Sequence, residues 1–278
     1  MNLAEKPRVR PLLLALDLDG TVIEPRQAVR PAVVEAVKRA KAAGIPTVIV
    51  TGRMYVGAAP IVKLLEIDGS IICYQGAVIA DAQTGHFQRE VALPSAVALR
   101  IYAVAKEHGF HVQFYRDDRF YVENNNAYAQ LYERTSGTPP VVVPSLPDAF
   151  AGHDSTKVNI VTDIEKAPAA FELMKQTCGS DAYVTRSNPE FVEMLNPAVN
   201  KGLALKIVCE KLGIAMDRVL AVGDSYNDLP FLEAVGFAVA MGSAPDELKA
   251  KADAVVGDVH ADGVAEAIDR YALAPFGL

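Results

Sequence analysis

The sequence predicts an α/β protein, a doubly wound parallel sheet carrying an inserted α+β segment. Short apolar runs at residues 11–16, 46–50 and 218–222 have the character of strands buried on both faces. Helical spacing of apolar residues separates them, which is the mark of crossovers in a parallel sheet. Between the first two runs and the third, residues 110–123 alternate around Asp117-Asp118, an antiparallel hairpin signal.

The first unit is strand, loop, helix, strand. The strand 11–16 leads into a loop over 17–25. Residues 31–43 then place Val33, Val34, Val37 and Ala40 on one helical face, with Pro31 at the first position and Gly44 as the stop. The strand 46–50 ends at Thr51-Gly52. The C-terminal third repeats this pattern. Residues 201–212 form an amphipathic helix stopped by Gly213, and the strand 218–222 ends at Gly223-Asp224. A short helix over 228–234, strands at 237–240 and 254–256, and a closing helix over 263–271 complete it. The middle differs. It has the hairpin, a polar Asn124-Asn125-Asn126 stretch, a proline-marked loop, a strand at 157–162, a helix at 165–177, and strands at 182–186 and 191–195. Residues 1–82 and 190–278 therefore form one expected domain, and 83–189 the insert.

The chain has 278 residues, 51% hydrophobic and 22% charged, which is ordinary globular composition. Its net charge of −7 disfavours nucleic acid and anionic lipid as general partners. Cys73, Cys178 and Cys209 are scattered, giving neither a disulfide framework nor a zinc spacing, and suggest a reducing compartment. Basic residues Lys6, Arg8 and Arg10 precede an apolar run of five residues. That run is too short for a signal peptide or a membrane span, so a cytoplasmic protein is expected.

The chemistry concentrates where strands end, the edge at which open α/β sheets bind ligands. Asp17 and Asp19, followed by Gly20-Thr21, form a turn able to aim two carboxylates at one point. One can attack a phosphoryl group while the other transfers protons. Asp224 and Asp228, in Gly-Asp-Ser-Tyr-Asn-Asp, bring two more acids to the same edge. Four converging carboxylates call for a cation, and Mg2+ suits such oxygen donors. Thr51 and the Gly52 backbone can bond a phosphate oxygen. Lys201, opening its helix, can neutralise phosphate charge. Neither carries much weight in isolation.

In this order, the motifs Asp-Leu-Asp-Gly-Thr, strand-end Thr, Lys and Gly-Asp-x-x-Asn-Asp resemble the four-motif layout of the haloacid dehalogenase (HAD) superfamily. The α+β insert is similar to the cap of its Cof-type branch. Asn-Lys-Gly at 200–202, Ala-Met-Gly-Ser-Ala at 240–244 and Asp-Gly-Val-Ala at 262–265 extend the resemblance over nearly the whole chain. It implies a Rossmann-like core and an Mg2+-dependent phosphatase acting on small phosphomonoesters such as sugar, nucleotide or cofactor phosphates. It makes Asp17 the nucleophile that becomes an aspartyl-phosphate, and Asp19 the general acid/base. It assigns the metal to the Asp17 side chain, the Asp19 backbone carbonyl and Asp224, with Asp228 orienting those ligands. Thr51, Gly52, Lys201, Asn227 and the Leu18 N–H would hold the phosphate.

Two departures from the family pattern, Gln75 for Asn and Ser243 for Asn, are expected to affect only local turn geometry. A phosphomutase or dedicated sugar-phosphate phosphatase is the runner-up, and a non-catalytic phospholigand sensor a second class. The insert is expected to act as a lid, with His111, Arg116, Tyr121, Asn124 and Arg186 as specificity candidates beside Arg53 of the core. A monomer or weak homo-oligomer is expected.

Overall fold

The computed structural model describes residues 7, 9–24 and 27–278. Lys6, Arg8 and the expected loop end at Pro25 lie outside the described residues. Five parallel strands form the central sheet in the order Ala254–Val255, Phe237–Ala240, Val219–Gly223, Leu13–Leu16, Thr47–Ile49. Side chains alternate across a strand, so Leu14 and Leu16 enter one apolar cluster while Leu13 and Ala15 enter another on the opposite face. Helices Pro31–Ala42 and Gly263–Ala267 cover the first face, and Lys201–Leu212 and Asp246–Lys251 the second. The sheet is thus doubly wound, as the apolar runs predict. The expected closing helix is α-helical only to Ala267 and widens to a π-helix over Ile268–Leu273.

A second sheet of six strands has the order Tyr183–Thr185, Phe191–Leu195, Val158–Val161, His111–Arg116, Arg119–Val122, Val141–Val142. One face carries Val112, Phe114, Val158, Ile160, Val192 and Met194, packed with helices Ser95–Glu107 and Ala167–Cys178. The other face turns toward the parallel-sheet domain. There Tyr115, Phe120 and Phe191 join its core cluster, together with Tyr132 from the helix Ala127–Ser136.

Strand pairing falls differently from the expected seams at 82/83 and 189/190. Phe87–Glu90 pairs with Val78–Asp81, and Ser70–Cys73 completes this small antiparallel sheet beside the core. Phe191–Leu195 pairs antiparallel with Val158–Val161 in the second sheet. Its nearly continuous apolar run is required because both of its faces are covered, by helices Ser95–Glu107 and Ala167–Cys178 on one side and by the parallel-sheet domain on the other.

The hairpin tip at Asp118 reaches the first domain. Its carboxylate accepts the Tyr55 and Val56 N–H groups at 2.9 and 2.7 Å and the Tyr74 hydroxyl at 2.9 Å. Helix Tyr55–Leu64, whose own N-cap residue Met54 makes no side-chain cap, is thereby capped from the second sheet.

Candidate active site

The strand Leu13–Leu16 delivers Asp17 and Asp19, and Val219–Gly223 delivers Asp224 and Asp228, side by side because these strands are paired in register. Carboxylate oxygens of Asp17, Asp224 and Asp228 lie within 4.8 Å of one another. Lys201 projects into this cluster from the first turn of its helix, where the Asn200 side chain caps by accepting from Leu203 N–H. Its Nζ donates to Asp17 Oδ1 at 2.5 Å and Asp228 Oδ1 at 2.6 Å. The other Asp228 oxygen accepts the backbone N–H groups of Asp224 and Ser225 at 2.9 and 3.0 Å. Asp228 is therefore fully committed within the protein. Asp224 accepts Thr21 Oγ1 at 2.8 Å on Oδ1. Gly20 permits this approach, since a Cβ there would lie 2.3 Å from Asp224 Oδ2.

Burial and mutual repulsion govern the electrostatics. Burial, then the charge of Asp228, pushes the Asp17 carboxyl well above its usual range, with Lys201 only partly offsetting this. The same two causes push Asp224 up to about 7. Burial works against the Lys201 charge, but Asp17 and Asp228 outweigh it, and its pKa is raised. One lysine does not neutralise three clustered acids, two of them buried and Asp224 half-buried, so the donor set suits an added hard cation.

Asp19 faces the same cavity with a different partner. Arg53 grips its carboxylate through Nε at 2.8 Å and Nη2 at 2.5 Å. Thr51 is fully buried, and its Oγ1 accepts the Arg53 N–H at 3.1 Å. Gly52, Arg53 and Asn227 line a cavity between the two domains together with Asp17 and Asp19. Lys201 is not among the residues lining it; its ammonium lies behind Asp17. The Leu18 side chain packs in the core.

Several cavity residues escaped the sequence reading. Lys157 and Glu193 form a buried ion pair on the core-facing side of the second sheet, with Ser187 donating to Glu193 at 2.5 Å. A lone charge within the apolar strand Phe191–Leu195 was the available signal. Of the expected lid candidates, Arg186 borders the acidic cluster, in a cleft of about 420 Å3 shared with Asp19, Asp224 and Tyr226. The Arg116 guanidinium instead stacks against Tyr121 and Phe150. His111 and Asn124 line a separate hollow.

A family profile described as haloacid dehalogenase-like hydrolase matches residues 14–268. The pyridoxal phosphate phosphatase YbhA of Escherichia coli (strain K12) is 31% identical over 265 residues, 92% of this chain and 97% of its own. The 5-amino-6-(5-phospho-D-ribitylamino)uracil phosphatase YcsE of Bacillus subtilis (strain 168) is 29% identical over 262 residues, 94% of this chain and 96% of its own. The crystal structure of a haloacid dehalogenase-like hydrolase from Bacteroides thetaiotaomicron superposes with a TM-score of 0.83 at 28% identity, covering 94% of this chain and 99% of that one.

Proposed function

Since the chain belongs to the haloacid dehalogenase-like hydrolases, in their Cof-type branch, we propose that it is a phosphatase of small phosphomonoesters working through a phosphorylated Asp17. The observation that carries this reading is the cluster of Asp17, Asp224 and Asp228 around Lys201, opening onto a cavity that Asp19 also faces. Asp17 and Asp224, with the Asp19 backbone carbonyl, would hold Mg2+, and Asp228 would orient them. When bound, Mg2+ would supply positive charge to the transferring phosphoryl oxygens.

Lys201 fixes Oδ1 of Asp17, leaving the other oxygen for attack at phosphorus. The P–O ester bond breaks, and Asp19 protonates the departing oxygen. Asp19 then takes a proton from water, whose oxygen attacks phosphorus as the bond to Asp17 breaks, releasing phosphate. Arg53 would have to yield its grip on Asp19 when substrate arrives. Thr51, the Gly52 and Leu18 backbones, and Asn227 would hold the phosphate oxygens, with Lys201 contributing charge through Asp17.

We divide the chain into a core of residues 1–90 and 196–278 and a lid of 91–195, following the strand pairing. The cavity between them is about 30 Å3, room for a water or two and not for a phosphomonoester. The lid would therefore open for substrate and close for chemistry, with the leaving group in the cleft beside Arg186 and Tyr226. The relatives' named substrates, a cofactor phosphate and a phosphorylated pyrimidine, suit a cleft of that size. No helix among the described residues is long and apolar enough to cross a membrane. Free, buried cysteines support a cytoplasmic setting, and we expect a monomer or weak homo-oligomer.

Phosphate release from a panel of sugar, nucleotide and cofactor phosphates, with Mg2+ and with chelator, tests the proposal. Release that requires Mg2+ supports it. Phosphate exchange between sugars without release would make the protein a mutase, and binding without either reaction would make it a sensor.

A further inference from the structure

The turn around Gln75 does more than join two strands. Tyr74 and Gln75 have φ of 51° and 56°, a region sparsely used by non-glycine residues. Two backbone bonds hold the turn there: Tyr74 N–H to Arg53 O at 2.9 Å, and Gln75 N–H to Thr51 O at 3.1 Å. The Gln75 side chain, 1% exposed, is thereby aimed between core and lid. Its Oε1 accepts from Asn227 Nδ2 at 3.0 Å, and its Nε2 donates to Glu193 Oε2 at 2.7 Å. Lys157 donates to the other Glu193 oxygen and returns to Gly52 O at 3.2 Å. Gly52 must be glycine beside this side chain, because a Cβ would fall 2.2 Å from Gln75 Nε2.

We infer that Gln75 is a positioning residue for the phosphate grip, set by the lid through the Lys157–Glu193 pair. An ionised carboxylate only accepts hydrogen bonds. Docked Glu193 therefore forces Gln75 to present Nε2 to the lid and Oε1 to Asn227. That oxygen in turn takes one of the two amide hydrogens of Asn227 and leaves the other for the cavity. Lys157 pairs with Glu193 and donates to the Gly52 carbonyl, tying both to one ammonium. With the lid open, Gln75 loses the partner that fixes its orientation, and both amides are free to flip. The phosphate site is thus completed only under a closed lid, which couples substrate grip to exclusion of water. The inference rests on the reading of Asn227 and Gly52 as phosphate ligands given above.

Gln75→Met keeps the length of the side chain and removes both amide bonds. Inorganic phosphate binding to the Mg2+-loaded protein, by calorimetry, and kcat/KM for p-nitrophenyl phosphate should each fall about tenfold. Mg2+ affinity should not change, whereas a general loss of structure would lower both affinities together. In an Asn227→Ala background the same substitution should cost less than about twofold, because its effect acts through Asn227. Wild-type turnover with unaltered Gln75→Met, or an undiminished loss in the Asn227→Ala background, overturns the inference alone. A wild type that neither hydrolyses nor binds phosphate overturns the functional reading and this inference with it. Should Gln75→Met not fold, Lys157→Met/Glu193→Met removes both buried charges together. The same loss, confined to phosphate, is then expected, and unaltered phosphate binding overturns the inference.

Discussion

Replacing Lys201 by methionine removes the only cation bonded to the acidic cluster among the described residues. Lys201 is 1% exposed and bonded to Asp17 and Asp228 at 2.5 and 2.6 Å. Without it, three carboxylates whose oxygens lie within 4.8 Å face one another uncompensated in metal-free protein. Two unit charges about 4 Å apart interact by roughly 4 kcal/mol at an effective dielectric of about 20. Breaking a buried ion pair by removing one partner costs about 3–5 kcal/mol. Lys201→Met should therefore lose about 3–5 kcal/mol of metal-free stability at pH ~7.5. The direction of the pH dependence follows from the raised acids. Asp17 and Asp224 bind protons more tightly folded than unfolded, so stability falls as pH rises from their unfolded value of 3.8 through their folded value, about 7 for Asp224. Loss of Lys201 raises those folded values further. The deficit should be smaller near pH ~5, where the acids hold protons, and grow toward pH ~7.5. Urea unfolding of metal-stripped wild type and variant at both pH values measures it. A deficit below about 1 kcal/mol, or one equal at the two pH values, would refute the reasoning.

If Asp224, held at about 7, is a ligand, Mg2+ would have to displace its proton, so its stabilisation of the thermal midpoint should be larger at pH ~7.5 than at pH ~5.5. Equal stabilisation at both would remove Asp224 from the ligand set. Gly52→Ala places a Cβ against the Gln75 amide; phosphate affinity measured by calorimetry should drop at least about tenfold with Mg2+ affinity kept, and retained phosphate affinity would contradict the close packing. Asp118→Ala removes the cap on helix Tyr55–Leu64, worth about 1 kcal/mol. Hydrogen exchange at the Tyr55 and Val56 amides should accelerate about fivefold while Leu13–Leu16 is unchanged, and unaltered exchange would mean that the hairpin tip does not anchor the lid.

The parallel sheet was legible because its strands are apolar runs, two of them ended by the chemistry: Leu16 by Asp17, Gly223 by Asp224. Helix Lys201–Leu212 and strand Phe237–Ala240 were legible to the residue, through Gly213 as stop and an unbroken apolar stretch. Helix Tyr55–Leu64 escaped because Pro60 interrupts its pattern, a proline that a helix tolerates only at a cost. The small sheet Ser70–Cys73, Val78–Asp81, Phe87–Glu90 escaped because its turn is built on strained Tyr74 and Gln75 rather than on recognisable turn residues alone. At the site, the motif residues converged at one sheet edge. The lid's contribution was hidden by register. Gln113, Asn159 and Glu193 each interrupt a separate apolar strand, and only antiparallel pairing brings them into one buried polar row. Gln75 appeared to be a turn variant for the same reason, since its partners Asn227 and Glu193 are more than a hundred residues away.

Asp17 as the phosphorylated nucleophile is the centre of the account. Acid-quenched protein taken during turnover of a hydrolysed phosphomonoester with Mg2+, digested and weighed by mass spectrometry, tests it directly. A phosphoryl-sized mass gain on the peptide carrying Asp17, absent from Asp17→Asn, is the predicted result. Steady phosphate release with no label on that peptide, or undiminished turnover by Asp17→Asn, would contradict it.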